Sequence, residues 1–253
     1  MIRAEDGRSI PQHTRACRAG TPRSAGVDLK GQRCGTITEK IDLPWVVALQ
    51  KNAVVRPMAI ARYISHPQVL VDPHKEVRQW SLSDLGRSRI ETLARSNALA
   101  GTRRVISSGE VKALETAQPV ADALGCSLEV RDRMHENDRS ATGFLPPDVF
   151  ECVADQFFAT PDESVRGWET ARAAQERIVG EVQAALQDHQ DGDVVFVGHG
   201  GVGTLLYCHL SGLAISRAYD QGPGGGGCFF SFGCDLGPPP QPWRPIEHLA
   251  NSG

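Results

Sequence analysis

The 253-residue sequence predicts an α/β fold, a layered domain around a mainly parallel central sheet, and two observations carry that expectation. From residue 58 onward, short apolar runs alternate with segments whose apolar residues recur at helical spacing. The run Val194-Val195-Phe196-Val197, bounded by Asp191-Gly192 and Gly198, is uniformly apolar, as expected of a strand buried on both faces of a parallel sheet.

Taken in order, Met58 to Ile64 is the first strand, followed at once by Ser65-His66-Pro67. Ser83 is placed to cap a helix carrying Leu85, Ile90, Leu93 and Ala94. Arg104 to Ser107 is a second strand. Glu110 to Leu124 is helical, with a kink or irregular turn expected at Pro119. Ser127 to Val130 is a third strand. The polar stretch from Arg131 to Pro147 lacks periodicity and predicts a long functional loop. Helices are expected over Pro147 to Phe158 and Trp168 to Asp188, then the strand from Asp193 and a helix from Val202 to Leu213. Phe229 to Phe232 is a last strand after the turn Gly222-Pro223-Gly224-Gly225-Gly226-Gly227, and the proline-rich tail from Pro238 is expected to wrap the surface.

Residues 1–57 differ in character. They hold ten Lys/Arg against five Asp/Glu, whereas the remainder holds seventeen against twenty-five. Lacking periodicity, they are expected to be a disordered or loosely attached N-terminal extension, with Met58 as a candidate for the true start. A targeting segment or a nucleic-acid-binding arm would also fit this composition, although Glu5-Asp6 argues against a transit peptide. The working domain is therefore 58–253. Seven scattered cysteines with no C-x-x-C pair predict neither structural zinc nor a disulfide framework. No run approaches the roughly 18 apolar residues of a membrane span. A cytoplasmic protein is expected, with no cofactor or metal and neither nucleic acid nor membrane as partner.

The glycine-flanked histidine is the strongest chemical signal. Gly198-His199-Gly200-Gly201 joins a buried strand to a helix, where uncovered N–H groups and partial positive charge favour an anion. Gly198-x-Gly200-x-x-Gly203 also matches the dinucleotide-binding fingerprint, but only about fifty residues follow it, and Asp220 does not end a clear apolar strand. His66 likewise follows a buried strand. If the two strands are neighbours, two imidazoles face one crevice at the carboxyl edge of the sheet.

Five segments in this order resemble the histidine phosphatase superfamily, the phosphoglycerate mutase-like fold: Ile64-Ser65-His66-Pro67, Leu82-Ser83-Asp84-Leu85-Gly86, Ser107-Ser108-Gly109-Glu110-Val111-Lys112-Ala113-Leu114-Glu115-Thr116-Ala117, His135-Glu136-Asn137, and Gly198-His199-Gly200-Gly201. The resemblance spans roughly Met58 to Phe232 and implies a three-layer α/β/α sandwich. It implies that His66 attacks a phosphoryl group to form a phosphohistidine, that Glu136 serves as acid and then base, and that His199, Lys112, Gly200 and Gly201 hold the phosphoryl oxygens. The ligand would be a small phosphorylated molecule or a phosphopeptide. Three departures stand out: Ser65 replaces the family's Arg, Pro67 its Gly, and Lys112 its second Arg. Arg139 and Arg78, with His74, are the candidate replacements. A catalytically weak phosphate-binding or regulatory module is the alternative that these departures suggest. Phe144, Phe150, Phe157, Phe158 and Trp168 are expected either to line the crevice or to pack in the core.

Overall fold

In the computed structural model, residues 59–239 and 241–250 are described. The expectations for the N-terminal extension and for Met58 fall outside them.

Six strands form one sheet: β1 (Ile60–Ser65), β2 (Thr102–Ser107), β3 (Leu128–Val130), β4 (Asp193–Gly198), β5 (Cys228–Gly233) and β6 (Arg244–Pro245), in the order β3-β2-β4-β1-β5-β6. The pairs among β3, β2, β4 and β1 are parallel, and β5 joins β1 antiparallel. The helices are α1 (Asp84–Arg95), α2 (Val111–Leu124), α3 (Pro147–Ala159), α4 (Ala171–Gln187), α5 (Gly200–Leu210) and α6 (Glu247–Ala250).

Alternation along β4 explains the layers. Val194 and Phe196 join a core with Phe157 of α3, Ile178 of α4 and Leu205 of α5, while Val195 and Val197 join a separate core with Ile90 of α1 and Ala117 of α2. All four β4 side chains are fully buried, so a strand period of two feeds both faces and the run reads as continuously apolar. The result is the expected three-layer sandwich.

Several local expectations are corrected. Helix α2 is continuous through Pro119, so no irregular turn interrupts it, and the proline lies next to the exposed Gln118. Helix α5 starts at Gly200 rather than Val202 and ends at Leu210, leaving Leu213 beyond it and 36% exposed. The leucine pattern missed the first turn because glycines build it. None of Gly198, Gly200, Gly201 and Gly203 has a positive φ. They serve close approach instead: a Cβ at Gly203 would lie 2.5 Å from the Tyr63 ring and 2.8 Å from Trp243. The tail is not a mere surface wrap either. Its β6 pairs with β5, Ile246 is buried, and Trp243 packs edge-on against Phe230 with ring centroids 4.7 Å apart.

Candidate active site

The register of β1 on β4 creates the site. Ser65 pairs with Gly198, so the two strands end level and the next residues are His66 and His199. The His66 N–H donates to the Gly198 carbonyl at 2.9 Å, and the two imidazole centroids are 5.3 Å apart with ring planes at 72°.

The two rings are held differently. His66 Nδ1 lies 2.8 Å from the Pro67 carbonyl, which can only accept; Nδ1 therefore carries the hydrogen and Nε2 keeps its lone pair. Burial, reinforced by the Lys112 charge, lowers the His66 pKa to about 4, so the ring is neutral at physiological pH. His199 is fully buried at the N-cap of α5. Its N–H donates to the Tyr63 hydroxyl at 3.0 Å, the same hydroxyl donates to its carbonyl at 3.2 Å, and its Nε2 lies 2.9 Å from Ser108 Oγ.

Glu136 reaches the first turn of α5 from the loop after β3. Its carboxylate accepts the Gly201 N–H at 3.1 Å and the Val202 N–H at 2.9 Å. The anion seat at this helix start thus holds the protein's own carboxylate, in the place where a pyrophosphate would have to bind under the dinucleotide fingerprint. It also takes the Gly201 N–H away from the phosphoryl role expected for it. The loop is held from α4: Arg177 donates to the carbonyls of Arg133 (2.7 Å), His135 (2.9 Å) and Glu136 (3.3 Å), while pairing with Glu169 at 2.7 Å.

Lys112 is buried, not solvated. Its Nζ donates to the Val77 carbonyl at 2.9 Å and forms an ion pair with Glu110. Burial works to raise the Glu110 carboxyl, but the Lys112 charge and the hydrogen bonds it accepts outweigh this and hold it well below the usual carboxylate range. Ser65 is also buried, its Oγ accepting the Cys228 N–H at 3.1 Å and bonding the Gln221 side chain, which lies against Gly200.

Two cavities of about 530 and 730 Å³ share Glu136, Asn137 and Arg139 as lining. The larger also borders His66, Gly200 and Gly201, and the smaller borders Arg78 and His74. The Arg139 guanidinium lies 4.7 Å from the Phe150 ring centroid and has no hydrogen-bond or ion-pair partner among the described residues. Arg78 is exposed. Phe157, Phe158 and Trp168 are buried in the α3/α4 core, although each also borders the larger cavity; Phe144 packs against Trp80.

The structure therefore brings His66, His199, Glu136, Gly200, Gly201 and Arg139 together, and leaves Arg78 at the rim of the smaller cavity. Sequence reasoning missed Glu110, Ser108, Tyr63, Arg177 and Gln221. Glu110 and Ser108 stand inside the Ser-Ser segment and could have been flagged as polar groups at the carboxyl end of β2. The others act from strands, helices or turns distant in sequence.

The model of the histidine phosphatase superfamily (branch 1) matches residues 73–224. The chain belongs to this superfamily. The matched span includes Lys112, Glu136, Arg139 and His199 and begins after His66. A curated relative, phosphoserine phosphatase 1 of Hydrogenobacter thermophilus, is 26% identical over 173 residues, covering 66% of this chain and 74% of that protein. Among solved structures, Entamoeba histolytica phosphoserine phosphatase in complex with 3-phosphoglyceric acid has a TM-score of 0.61 at 15% identity, covering 76% of this chain and 100% of that one. Mycobacterial glucosyl-3-phosphoglycerate phosphatase with inorganic phosphate has a TM-score of 0.56 at 20% identity, over 74% and 94% of the two chains. These structures share the phosphoglycerate mutase-like fold. Among the described residues of this superfamily member, no helix is long and apolar enough to cross a membrane, and Cys126, Cys152, Cys208, Cys228 and Cys234 are free thiols.

Proposed function

We propose that this chain hydrolyses a small phosphomonoester through a phosphohistidine on His66. The observation that carries the reading is the bare Nε2 of a neutral His66, beside a second buried imidazole and in a cavity that Glu136 also lines. Nε2 attacks phosphorus in line, and the bond to the leaving alkoxide breaks as Glu136, which has taken up a proton from solvent, passes that proton to it. Water, deprotonated by Glu136, then cleaves the P–N bond and restores His66. Lys112, His199, Arg139 and the Gly200 N–H are the groups proposed to meet the phosphoryl oxygens, where charge is spread in the transition state. Gly201 acts through Glu136. The names of the relatives, which concern phosphoserine and glucosyl-3-phosphoglycerate, favour a small metabolite over a phosphopeptide.

The test is phosphate release from an aryl phosphate by the full chain, with acid-quench trapping of the phosphohistidine. His66→Ala should abolish both signals, and equal rates in the two proteins would remove His66 as nucleophile. A second reading, a phosphate-binding module of weak activity, is favoured by one observation: Lys112 is already neutralised by Glu110. It predicts that phosphate raises the Tm without turnover, and a phosphohistidine trapped at His66 would exclude it.

A further inference from the structure

Glu110 has no part in the steps above, yet it lies at the centre of the site. Its carboxylate is only 4% exposed and pairs with Lys112, the very cation expected to hold phosphoryl oxygens. Its Oε1 accepts the Glu136 N–H at 2.9 Å and lies 3.6 Å from His199 Nε2. The other ring nitrogen of His199, Nδ1, is buried without a hydrogen-bond partner among the described residues. One nitrogen of this imidazole thus faces a hydroxyl and an anion, while the other is bare. Meanwhile the buried Lys112 is already neutralised by Glu110, which leaves Arg139 as the unpaired cation lining the larger cavity among the described residues, a thin balance for a phosphoryl dianion.

We propose that Glu110 is the counter-ion of His199. It holds the ring with Nε2–H turned to Ser108 and the carboxylate, and it lets Nδ1 take a proton when a phosphoryl dianion binds, so that an imidazolium supplies a positive charge that the Glu110-paired Lys112 does not. The assignment rests on the phosphatase reading, because it requires a tetrahedral dianion beside His66. The step is a simple proton uptake: one N–H bond forms at Nδ1 and the proton comes from solvent.

Burial holds the His199 pKa well below its ordinary value, with Glu110 pulling the other way. Every charged or titratable neighbour has a place in this balance. Lys112 of α2, His66 after β1 and His135 of the loop oppose a second proton on His199. Glu110 before α2 favours it. The Tyr63 hydroxyl engages only the His199 main chain, Glu136 is committed to α5, and Arg139 stands over Phe150. A bound dianion adds to the pull of Glu110, and the two together can overcome desolvation.

Glu110 is thus a positioning residue, and affinity alone is a poor readout, since Glu110→Gln also frees Lys112. The informative quantity is the number of protons taken up on binding. Full-length protein is titrated calorimetrically with tungstate, a tetrahedral dianion ionised throughout the neutral range, in two buffers of different protonation enthalpy. The wild type should take up about one proton per tungstate at neutral pH. Glu110→Gln should take up close to none, and Glu110→Asp should restore the uptake. Equal uptake in the wild type and Glu110→Gln would overturn the proposal while leaving the phosphatase reading standing. A wild type that neither binds tungstate nor releases phosphate would overturn that reading, and this assignment with it. If Glu110→Gln does not fold, nitrogen NMR of the wild-type imidazoles decides: His199 signals of an imidazolium in the tungstate complex support the proposal, and signals that stay neutral overturn it.

Discussion

The Glu136 carboxylate accepts the N–H of Gly201 at 3.1 Å, so this N–H in the first turn of α5 anchors the proposed acid and base. The aligned peptide dipoles hold a negative charge there as readily as they would a phosphate. That anchoring leaves no room for a side chain at Gly201.

A Cβ at Gly201 would lie 2.8 Å from Glu136 Oε1 and 3.2 Å from its Cδ. Gly201→Ala should therefore displace the carboxylate from α5. General acid–base catalysis contributes roughly 10²–10⁴-fold, so kcat for an aryl phosphate should fall by about 10²-fold. Steady-state kinetics beside a thermal melt checks this; an unchanged kcat would remove Glu136 from its assigned place.

Arg177 ties the Glu136 loop to α4 through three carbonyls and the Glu169 carboxylate. Arg177→Met strips those carbonyls of their donor and leaves Glu169 without its cation. Breaking a buried pair costs about 3–5 kcal/mol, and chemical denaturation should show a loss of that order. Enzyme that remains folded should also lose kcat, because the backbone that aims Glu136 is released.

Arg139 is, among the described residues, a cation without an anionic partner beside the site. Arg139→Met should raise KM for an aryl phosphate roughly tenfold, since a charged hydrogen bond is worth about 1.5–3 kcal/mol. Stability should change little. Arg139→Lys should recover only part of the loss, because an ammonium cannot grip two oxygens in the plane of a fork.

His66 links the site to acid stability. Its pKa falls from the ordinary 6.5 to about 4 on folding, through burial first and the Lys112 charge second. The unfolded chain then binds more protons than the folded one between those values. The stability attached to a neutral His66 is complete above pH 6.5 and is lost as pH falls toward 4. Buried His199 shifts in the same direction. A Tm series across this range should fall in the wild type and fall less in His66→Asn; parallel curves would contradict the assignment.

Much of this protein was readable from local pattern. The apolar run of β4, the Ser83 cap of α1 and the histidines at two strand ends are short-range features, because strand and helix periods are set by neighbouring residues. Ser83 Oγ does accept the Gly86 N–H, at 3.2 Å. The start of α5 was misplaced because glycines carry no hydrophobic period. The burial of Lys112 is not legible locally, since a lysine on a helix is solvated unless a partner such as Glu110 is buried with it.

By itself, then, the sequence determined the strand and helix segments, the two sheet-end histidines and the family they point to. Tertiary structure alone decided that β1 lies beside β4 in the register that sets His66 against His199, that Glu136 caps α5, and that Glu110 stands between Lys112 and His199. The physical reason is separation along the chain. Ser65 and Gly198 are partners across more than a hundred residues, and such a register is chosen by which apolar faces can be buried together. The charge balance of the site follows from that burial, which no local pattern encodes.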